Sequence, residues 1–229
     1  SFQEVDITGI TLPITKHSYF VRDVEKLADI IRHAFIIAKS DRPGPVLIDI
    51  PKDVFLSETE YKPTHKQKEI TKRHANSDYD LTDIIQLIEK AQRPVIYAGG
   101  GIIIADAAEE FQRFAVGSNI PVVNTLMGLG SFPREHPLSL GLVGMHGLKP
   151  ANLAVSNSDL IIAIGARFSD RVIGAANKFA QKAKLIHIDI DKSEVGKNID
   201  VDISMIGDIK DLLNKLGEQT NIRKGKKWL

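Results

Sequence analysis

Residues 141–171 read GLVGMHGLKPANLAVSNSDLIIAIGARFSDR, and this stretch predicts the class of fold. Pro150 has the fixed backbone φ that suits the first turn of a helix, which Asn157 and Ser158 can end. Residues 160–164 are then apolar without alternation, as expected for a strand whose two faces are both covered by helices. A helix followed by a buried strand indicates an α/β protein with a parallel sheet.

A glycine and two arginines follow this predicted strand. Gly165 allows a ligand to come close to the backbone, and Arg167 and Arg171 lie just beyond the carboxyl end of the strand. In open α/β sheets, ligands bind at that edge. Two alternatives are open for the arginines: surface ion pairs with Asp170, or a two-pronged grip on a phosphate or carboxylate. Their position after a strand favours the second.

The same alternation extends along the chain on both sides. Predicted helices cover residues 80–91, 105–116, 173–181 and 208–216, and predicted strands cover residues 94–98, 121–124 and 184–190. This spacing predicts an α/β fold with a doubly wound, Rossmann-like parallel sheet and right-handed crossovers.

The first 55 residues predict a partial α/β segment that precedes this sheet. An apolar stripe predicts a helix over residues 24–38, and residues 46–50 predict a strand with no partner strand left in the chain. Residues 1–22 show no period and are expected to be irregular. We therefore expect four parts: the end of one domain (1–55), a linker (56–79), a second domain (80–217) and the start of another linker (218–229).

Composition narrows the function classes. The 30 basic and 29 acidic residues balance, which argues against a dedicated nucleic-acid binder. Without cysteine, the chain has no disulfide framework, thiolate metal site or cysteine nucleophile. No apolar run approaches the roughly 20 residues that span a bilayer, so we expect no membrane partner and a cytoplasmic location. An organelle stays open, because the chain starts without methionine and reads as a fragment of a longer protein.

Three consecutive glycines, Gly99, Gly100 and Gly101, follow one predicted strand and precede a helix, the context in which helix N-termini bind phosphates. They do not form the dinucleotide fingerprint, because position 104 is isoleucine. The strand about 20 positions further on also ends at Asn124 and not at an acidic residue. A tight turn and a phosphate cradle stay equally open.

Asp189 and Asp191 close another predicted strand. Carboxylates there accept hydrogen bonds from ribose hydroxyls or cap the next helix, and both alternatives stay open. Only Glu194 and His187 are near enough in sequence to add metal ligands, and His187 is expected to be a satisfied core residue. No metal site is therefore predicted.

His146 lies between Gly144-Met145 and Gly147. A histidine flanked by glycines rarely serves packing. Spacing assigns it no partner of the Ser-His-Asp or metal kind. A contact with a ligand is favoured over a role in the turn.

Taken together, several motifs resemble one enzyme family. They are FQE at residues 2–4, RPGPVLIDIPKDV at 42–54, GMHGxxxAN at 144–152, SDLIIAIGARFSDR at 158–171 and HIDIDxxEVGKN at 187–198. From Phe2 to Leu216 the chain resembles, in one register, the catalytic subunit of acetolactate synthase, a thiamine-diphosphate enzyme of branched-chain amino acid biosynthesis. The resemblance implies three successive α/β domains, which bind pyrimidine, FAD and diphosphate. This chain corresponds to the end of the first and the whole of the second.

The resemblance also implies roles for individual residues. Arg42 is similar to an arginine that reaches FAD from the preceding domain, and Arg171 to one that holds the carboxylate of the second keto acid. Phe2, Gln3, Lys52 and Met145 match residues near a substrate channel between subunits. The positions that match the FAD lining are Gly100, Gly101, Thr125, Leu126, Met127, Gly144, Met145, His146, Gly147, Gly165, Ala166, Arg167, Asp189, Ile190, Asp208 and Ile209.

Two positions depart from the family. The chain reads RFSDR where the family reads RFDDR, so Ser169 removes one carboxylate beside the flavin, and Leu148 replaces a small or polar residue. The family's thiamine-activating glutamate lies upstream of the matched region, and its GDG motif for magnesium and diphosphate lies downstream. No GDG occurs here, so this fragment alone is expected to be inactive.

For the intact protein, the resemblance implies decarboxylation of pyruvate and addition of the hydroxyethyl carbanion to pyruvate or 2-oxobutyrate. FAD would be structural, because no net redox change occurs. A homo-oligomer and a small regulatory subunit are the implied partners. The alternatives are a pyruvate oxidase with redox-active FAD, a glyoxylate carboligase, and a non-catalytic module that binds ADP or NAD.

Overall fold

The computed structural model describes residues 5–61, 79–174 and 179–218. The chain divides into two compact units, residues 1–73 and residues 74–229. Each unit is described by itself.

The first unit contains a small parallel sheet. Its elements are α1 (Ile7–Thr11), β1 (His17–Phe20), α2 (Leu27–Lys39), β2 (Val46–Asp49) and α3 (Lys52–Phe55). The helix and strand predicted over residues 24–38 and 46–50 are confirmed as α2 and β2. The prediction that residues 1–22 are irregular is wrong for the described residues 5–22, which contain α1 and β1, and the prediction that the strand lacks a partner is also wrong. β1 pairs with β2 in parallel, from His17 beside Val46 to Phe20 beside Asp49.

β1 was not predicted from the sequence because it has only four residues and begins with the polar pair His17-Ser18. The preceding residue, Lys16, also has a structural role. Its Nζ donates to the carbonyl oxygens of Ile37 and Ser40, at 2.7 Å each. A cation at the carboxyl end of a helix satisfies backbone acceptors that have no intrahelical partner.

The second unit contains a six-stranded sheet in which every paired neighbour is parallel. The strand order is β5-β4-β3-β6-β7-β8. The elements are α4 (Thr82–Lys90), β3 (Pro94–Ala98), α5 (Gly101–Ile104), α6 (Ala108–Ser118), β4 (Val122–Asn124), β5 (Ser139–Leu142), α7 (Lys149–Asn157), β6 (Leu160–Ile164), α8 (Asp170–Ile173), β7 (Lys184–Asp189), β8 (Ile203–Ile206) and α9 (Ile209–Glu218).

This order makes the sheet doubly wound, as predicted. Numbered from β3, the order is 3-2-1-4-5-6, which is that of dinucleotide-binding Rossmann folds. The chain winds outward from β3 to β5, returns to the centre at β6, and winds outward the other way to β8. The connections that follow β3 and β6 therefore leave the sheet in opposite directions.

Helices cover both faces of the sheet, which explains why β6 is apolar throughout. Its alternate residues belong to different cores: Ile162 and Ile164 pack with α4, α6 and α9, whereas Ile161 and Ala163 pack with α7. All five residues of β6 are buried. Pro150 lies in the first turn of α7, as predicted.

Two strands and one helix differ from the predictions. The edge strands β5 and β8 were not predicted, because they have four residues each and most of those residues are only half-buried. β5 also contains Gly141 at φ +80°, next to a shift in its register with β4. The helix predicted over residues 173–181 is wrong: α8 ends at Ile173, Gly174 follows at φ +60°, and residues 179–182 form turns. Residues 175–178 lie outside the described residues.

We predict that Gly165→Ala lowers the free energy of unfolding by about 2 kcal/mol or more. Gly165 has φ +56°, and an added Cβ would lie 2.7 Å from the Cα of Gly101. Gly117→Ala is the matched control, because an added Cβ meets nothing within 4 Å there and the position lies in α6. That variant should gain up to about 1 kcal/mol. Urea unfolding of both variants measures the difference, and equal effects would contradict the prediction.

Candidate ligand site at the carboxyl ends of the strands

The predicted FAD-lining positions of the second unit all follow the carboxyl ends of its strands or close them. Because the six strands are parallel, these ends lie along one side of the sheet, which we call the carboxyl-end edge. The structure brings the following groups to it: Gly100-Gly101 after β3, Thr125-Leu126-Met127 after β4, Gly144–Gly147 after β5, Gly165-Ala166-Arg167 after β6, Asp189-Ile190 at the end of β7, and Asp208-Ile209 after β8.

The three glycines after β3 lie where the winding direction of the sheet reverses. The backbone N–H of Gly99 donates to Ile164 O and that of Gly101 donates to Gly165 O, both at 2.9 Å. A Cβ on Gly101 would lie 2.6 Å from the Cα of Gly165. These two N–H groups are occupied within the protein, so the structure favours the tight turn over the phosphate cradle.

The turn that carries His146 is fixed by one side chain of α7. Asn152 accepts the N–H of Gly144 at 2.9 Å and donates to the carbonyl oxygen of Gly144 at 3.0 Å. Gly144 has φ +107°, a conformation that favours glycine. His146 and Met145 are exposed on this turn. The backbone of Met145 donates to Arg171 O at 3.1 Å, which joins the turn to the arginine segment.

Arg167 and Arg171 are both exposed at the carboxyl-end edge. Neither guanidinium forms an ion pair with a carboxylate of the described residues. The alternative of surface ion pairs with Asp170 therefore does not hold there. The Asp170 carboxylate instead accepts the backbone N–H of Arg171 at 2.9 Å.

Two of the three aspartates near this edge cap a turn or helix, and the third remains a candidate for binding a ligand. The Asp191 carboxylate accepts from the backbone and the hydroxyl of Ser193, at 3.0 and 2.6 Å, and so caps the turn that follows. The Asp208 carboxylate caps α9 by accepting the N–H of Lys210 at 2.9 Å. Asp189 is buried at the end of β7, and its Oδ1 accepts the N–H of Asp191 at 2.9 Å. Asp189 remains the candidate for ribose hydroxyls.

Other predicted positions at this edge serve packing or the local turn. The side chains of Ala166 and Ile209 are buried and belong to the two cores on opposite faces of the sheet. The Thr125 hydroxyl accepts the N–H of Gly128 at 3.1 Å, and Asn124 donates to the carbonyl oxygen of that glycine at 2.9 Å. These two bonds shape the turn that exposes the side chains of residues 126 and 127.

Large apolar side chains are exposed along the same carboxyl-end edge. The exposed fractions of Leu126, Met127 and Met145 are 69%, 73% and 61%. An edge with cationic groups, a buried carboxylate and exposed apolar side chains suits a ligand that has a flat aromatic ring, hydroxyls and phosphates. The residues present therefore fit a flavin nucleotide.

His187 is a buried histidine of β7 close to Asp189, as predicted, but only one of its nitrogens is satisfied. Its Nε2 lies 3.0 Å from Ala166 O, and its buried Nδ1 has no hydrogen-bond partner in the described chain. Burial lowers the pKa of the imidazole, and the carboxylates of Asp189 and Glu194 oppose this. Burial also raises the pKa of the Asp189 carboxyl.

The described residues contain neither a metal-binding cluster nor a membrane-spanning helix. No group of three or more His, Cys, Asp or Glu side chains there is arranged to hold a metal ion. Likewise, none of the helices described above has the length and apolarity that crossing a membrane requires.

The predicted residues of the first unit do not meet within it. Arg42 precedes β2 and Lys52 begins α3 after it, so the two exposed cations lie at opposite ends of that strand. Phe2 and Gln3 lie outside the described residues.

A doubly wound sheet with this strand order defines a Rossmann-like α/β domain. The chain belongs to the thiamine pyrophosphate enzyme family: residues 81–216 match the family described as "Thiamine pyrophosphate enzyme, central domain". The chain is similar to a solved structure of a putative thiamin diphosphate-dependent enzyme from Mycobacterium smegmatis. The TM-score is 0.77 at 24% identity, over 97% of this chain and 42% of that one, which shows the fold.

More similar relatives are acetolactate synthase large subunits. The chain is 47% identical to the probable acetolactate synthase large subunit of Methanocaldococcus jannaschii, over 94% of this chain and 37% of the relative. It is 44% identical to the acetolactate synthase isozyme 1 large subunit of Escherichia coli, over 94% of this chain and 38% of the relative. The chain thus spans less than half the length of these relatives. Their names support the acetolactate synthase interpretation over the oxidase, carboligase and non-catalytic alternatives.

Sequence reasoning missed the amide side chains that shape this edge. Asn152 ends the motif GMHGxxxAN and Asn198 ends the motif HIDIDxxEVGKN, and this position in a motif was the only sign in the sequence that either asparagine has a role. Spacing alone does not reveal which carbonyl oxygen an asparagine reaches across the fold. Asn198 donates to Phe168 O at 2.7 Å, 30 residues away along the chain.

We predict that acid destabilises the chain partly through His187. A histidine whose folded pKa is lowered contributes stability that is complete above its unfolded pKa of about 6.5 and is lost as the pH falls below it. Its contribution changes by at most about 1.4 kcal/mol per pH unit. The raised pKa of Asp189 acts in the opposite direction at lower pH, so the measurement runs from pH 8 to about 5.5.

The control is His187→Gln, which removes the titrating group and keeps an N–H donor. Its free energy of unfolding should fall less between these pH values than that of the unchanged protein. Parallel curves for the two proteins would contradict a lowered pKa at His187.

Proposed function

We propose that the intact protein is an acetolactate synthase large subunit, and that this chain supplies its flavin-nucleotide site and the arginine that holds the second keto acid. The observation that supports the proposal is the carboxyl-end edge. Its two arginines have no ion pairs with the described carboxylates, and they share this edge of a sheet in Rossmann strand order with exposed apolar side chains. The reaction that we propose is the one for which the relatives are named.

The reaction joins two 2-keto acids. Pyruvate loses carbon dioxide, and its remaining two-carbon unit forms a carbon–carbon bond with the keto carbon of a second pyruvate or of 2-oxobutyrate. The products are carbon dioxide and a 2-hydroxy-2-alkyl-3-keto acid, with no net oxidation. Thiamine diphosphate would supply the electron sink for the decarboxylation and magnesium would hold its diphosphate, and we propose that other parts of the intact protein bind both.

Different side chains would hold different parts of the flavin nucleotide. The guanidinium of Arg167 suits a phosphate, for which its fork of donors can form two parallel bonds. The carboxylate of Asp189 suits ribose hydroxyls. The exposed side chains of Leu126 and Met127 suit the flat ring system. FAD would be structural here, because the reaction is redox neutral.

Arg171 is the candidate for the carboxylate of the second keto acid. Its backbone carbonyl accepts the N–H of Met145, so both residues are held at one point of the edge. A guanidinium grips a carboxylate through two parallel hydrogen bonds, which fixes orientation as well as charge. In this position Arg171 would orient the keto carbon of the second substrate toward the bond that forms.

The remaining proposed roles rest on the resemblance alone. We propose that Arg42 reaches the flavin, and that Gln3 and Lys52 lie near the substrate channel, as the resemblance implies. A second copy of the large subunit and a small regulatory subunit are the proposed partners. The small regulatory subunit is supported by the relatives, which are named as large subunits.

We predict that the intact protein, as purified, carries a flavin. Denaturation should release a compound with the visible absorption of an oxidised flavin, and Arg167→Ala should weaken its binding roughly tenfold or more, because a charge-assisted bond is lost. Arg113→Ala is the control, since Arg113 lies on α6 with its side chain 67% exposed. A purine without flavin absorption would contradict the flavin site.

We predict that Arg171→Ala separates the two halves of the reaction. Its KM for the second keto acid should rise roughly tenfold or more, because a charged hydrogen bond is removed. Carbon dioxide release from pyruvate alone should change much less. The measurement compares carbon dioxide with acetolactate formed, in the Ala and Lys variants and in Arg113→Ala. An equal loss of both products would contradict the role.

A further inference from the structure

Both arginines of the carboxyl-end edge lie on one short segment, and its residues 166–169 belong to no helix or strand. The backbone hydrogen bonds of a helix or sheet therefore do not set the direction in which Arg167 points. Side chains from other parts of the second unit hold the segment instead.

Phe168 fills the space between two buried rings on the sheet. Tyr97 of β3 and His187 of β7 are each paired with Ala163 of β6, one on either side, so all three face the same layer. The ring of Phe168 lies 5.2 Å from that of Tyr97, stacked, and 5.4 Å from that of His187, edge to face. The small side chain of Ala163 between them leaves room for Phe168. Arg167 thus precedes a residue that is anchored in the core.

Two backbone carbonyls of the segment are held by side chains. The carbonyl oxygen of Ala166 lies 3.0 Å from Nε2 of His187, and that of Phe168 accepts from Nδ2 of Asn198 at 2.7 Å. These carbonyls belong to the residues on either side of Arg167. With Ala166 and Phe168 buried and both carbonyls engaged, Arg167 is the residue directed outward.

Packing alone does not account for a histidine at position 187. Its Nδ1 is buried without a hydrogen-bond partner among the described residues, and a phenyl ring would fill the same space without that unpaired nitrogen. The bond from Nε2 to Ala166 O requires a proton on Nε2. Burial lowers the pKa of the imidazole and so keeps it neutral, with Nε2 as its donor.

We propose that His187 and Phe168 are positioning residues, which hold the segment of residues 166–171 so that Arg167 and Arg171 present their guanidinium groups at the carboxyl-end edge. The inference rests on the proposed function only for what the arginines bind. Neither residue touches the ligand in this proposal: His187 acts through the carbonyl of Ala166, and Phe168 through its anchored ring.

The test uses three variants of the intact protein. His187→Phe keeps a ring and removes the donor, His187→Gln keeps a donor, and Tyr97→Phe is the control. Tyr97→Phe removes a buried hydroxyl that has no partner among the described residues and keeps the stacked ring. The first readout is amide hydrogen exchange of residues 165–172, measured without ligand. The second is the dissociation constant for FAD added to apoprotein, with the KM for the second keto acid.

In His187→Phe we expect exchange in residues 165–172 to accelerate roughly two- to tenfold, the effect of losing one neutral hydrogen bond, while exchange in β3 and β6 stays unchanged. The dissociation constant for FAD and the KM should rise with it, and kcat for pyruvate decarboxylation should change less. His187→Gln should restore the slower exchange, and Tyr97→Phe should match the unchanged protein.

Unchanged exchange of residues 165–172 in His187→Phe would overturn the inference, as would an equal acceleration throughout the sheet. Faster exchange confined to the segment, with FAD affinity and KM both unaffected, would uphold the positioning role. That last result would instead reject the proposed function of the arginines, so the two failures are distinguishable.

Discussion

The close approach of two backbones at the centre of the sheet is the constraint on which the carboxyl-end edge depends. β3 and β6 are neighbours, and the loops that follow them leave in opposite directions. The N–H of Gly101 reaches Gly165 O at 2.9 Å across this divide. A side chain on either glycine would force the loops apart. It would also displace the arginine segment that follows β6, because that segment begins at Gly165.

Core and edge are built from the same strands. Ala163 and His187 belong to strands that fill the core, yet the first leaves room for Phe168 and the second bonds the carbonyl of Ala166. Asn152 of α7 similarly fixes the glycine turn that carries His146. Residues of the core strands and of α7 thus determine where the exposed groups of the carboxyl-end edge lie. The exposed groups themselves contribute little to packing.

Several features of the site were predictable because the period of the chain is clear. Five consecutive apolar residues at positions 160–164 indicated a strand covered on both faces, and all five are buried in β6. A parallel sheet then brings every carboxyl end to one side. The edge strands β5 and β8 were missed because short, half-buried strands carry little apolar signal. For Asp191 the sequence left ribose contact and capping both open, and its carboxylate caps the turn that follows; the carboxylate of Asp208, which the resemblance placed in the FAD lining, caps α9. Capping and ligand binding use the same residue types, so composition does not separate them.

The sequence by itself determined the class of fold, the central strands and the segments from which the edge is built, because hydrophobic period and glycine placement are local properties of the chain. Only the tertiary structure decided how those segments meet. The pairing of β1 with β2, the meeting of Gly101 with Gly165 and the bonds from His187 and Asn198 to the arginine segment join residues far apart in sequence. Such contacts depend on the order of the strands in the sheet, which no local pattern encodes.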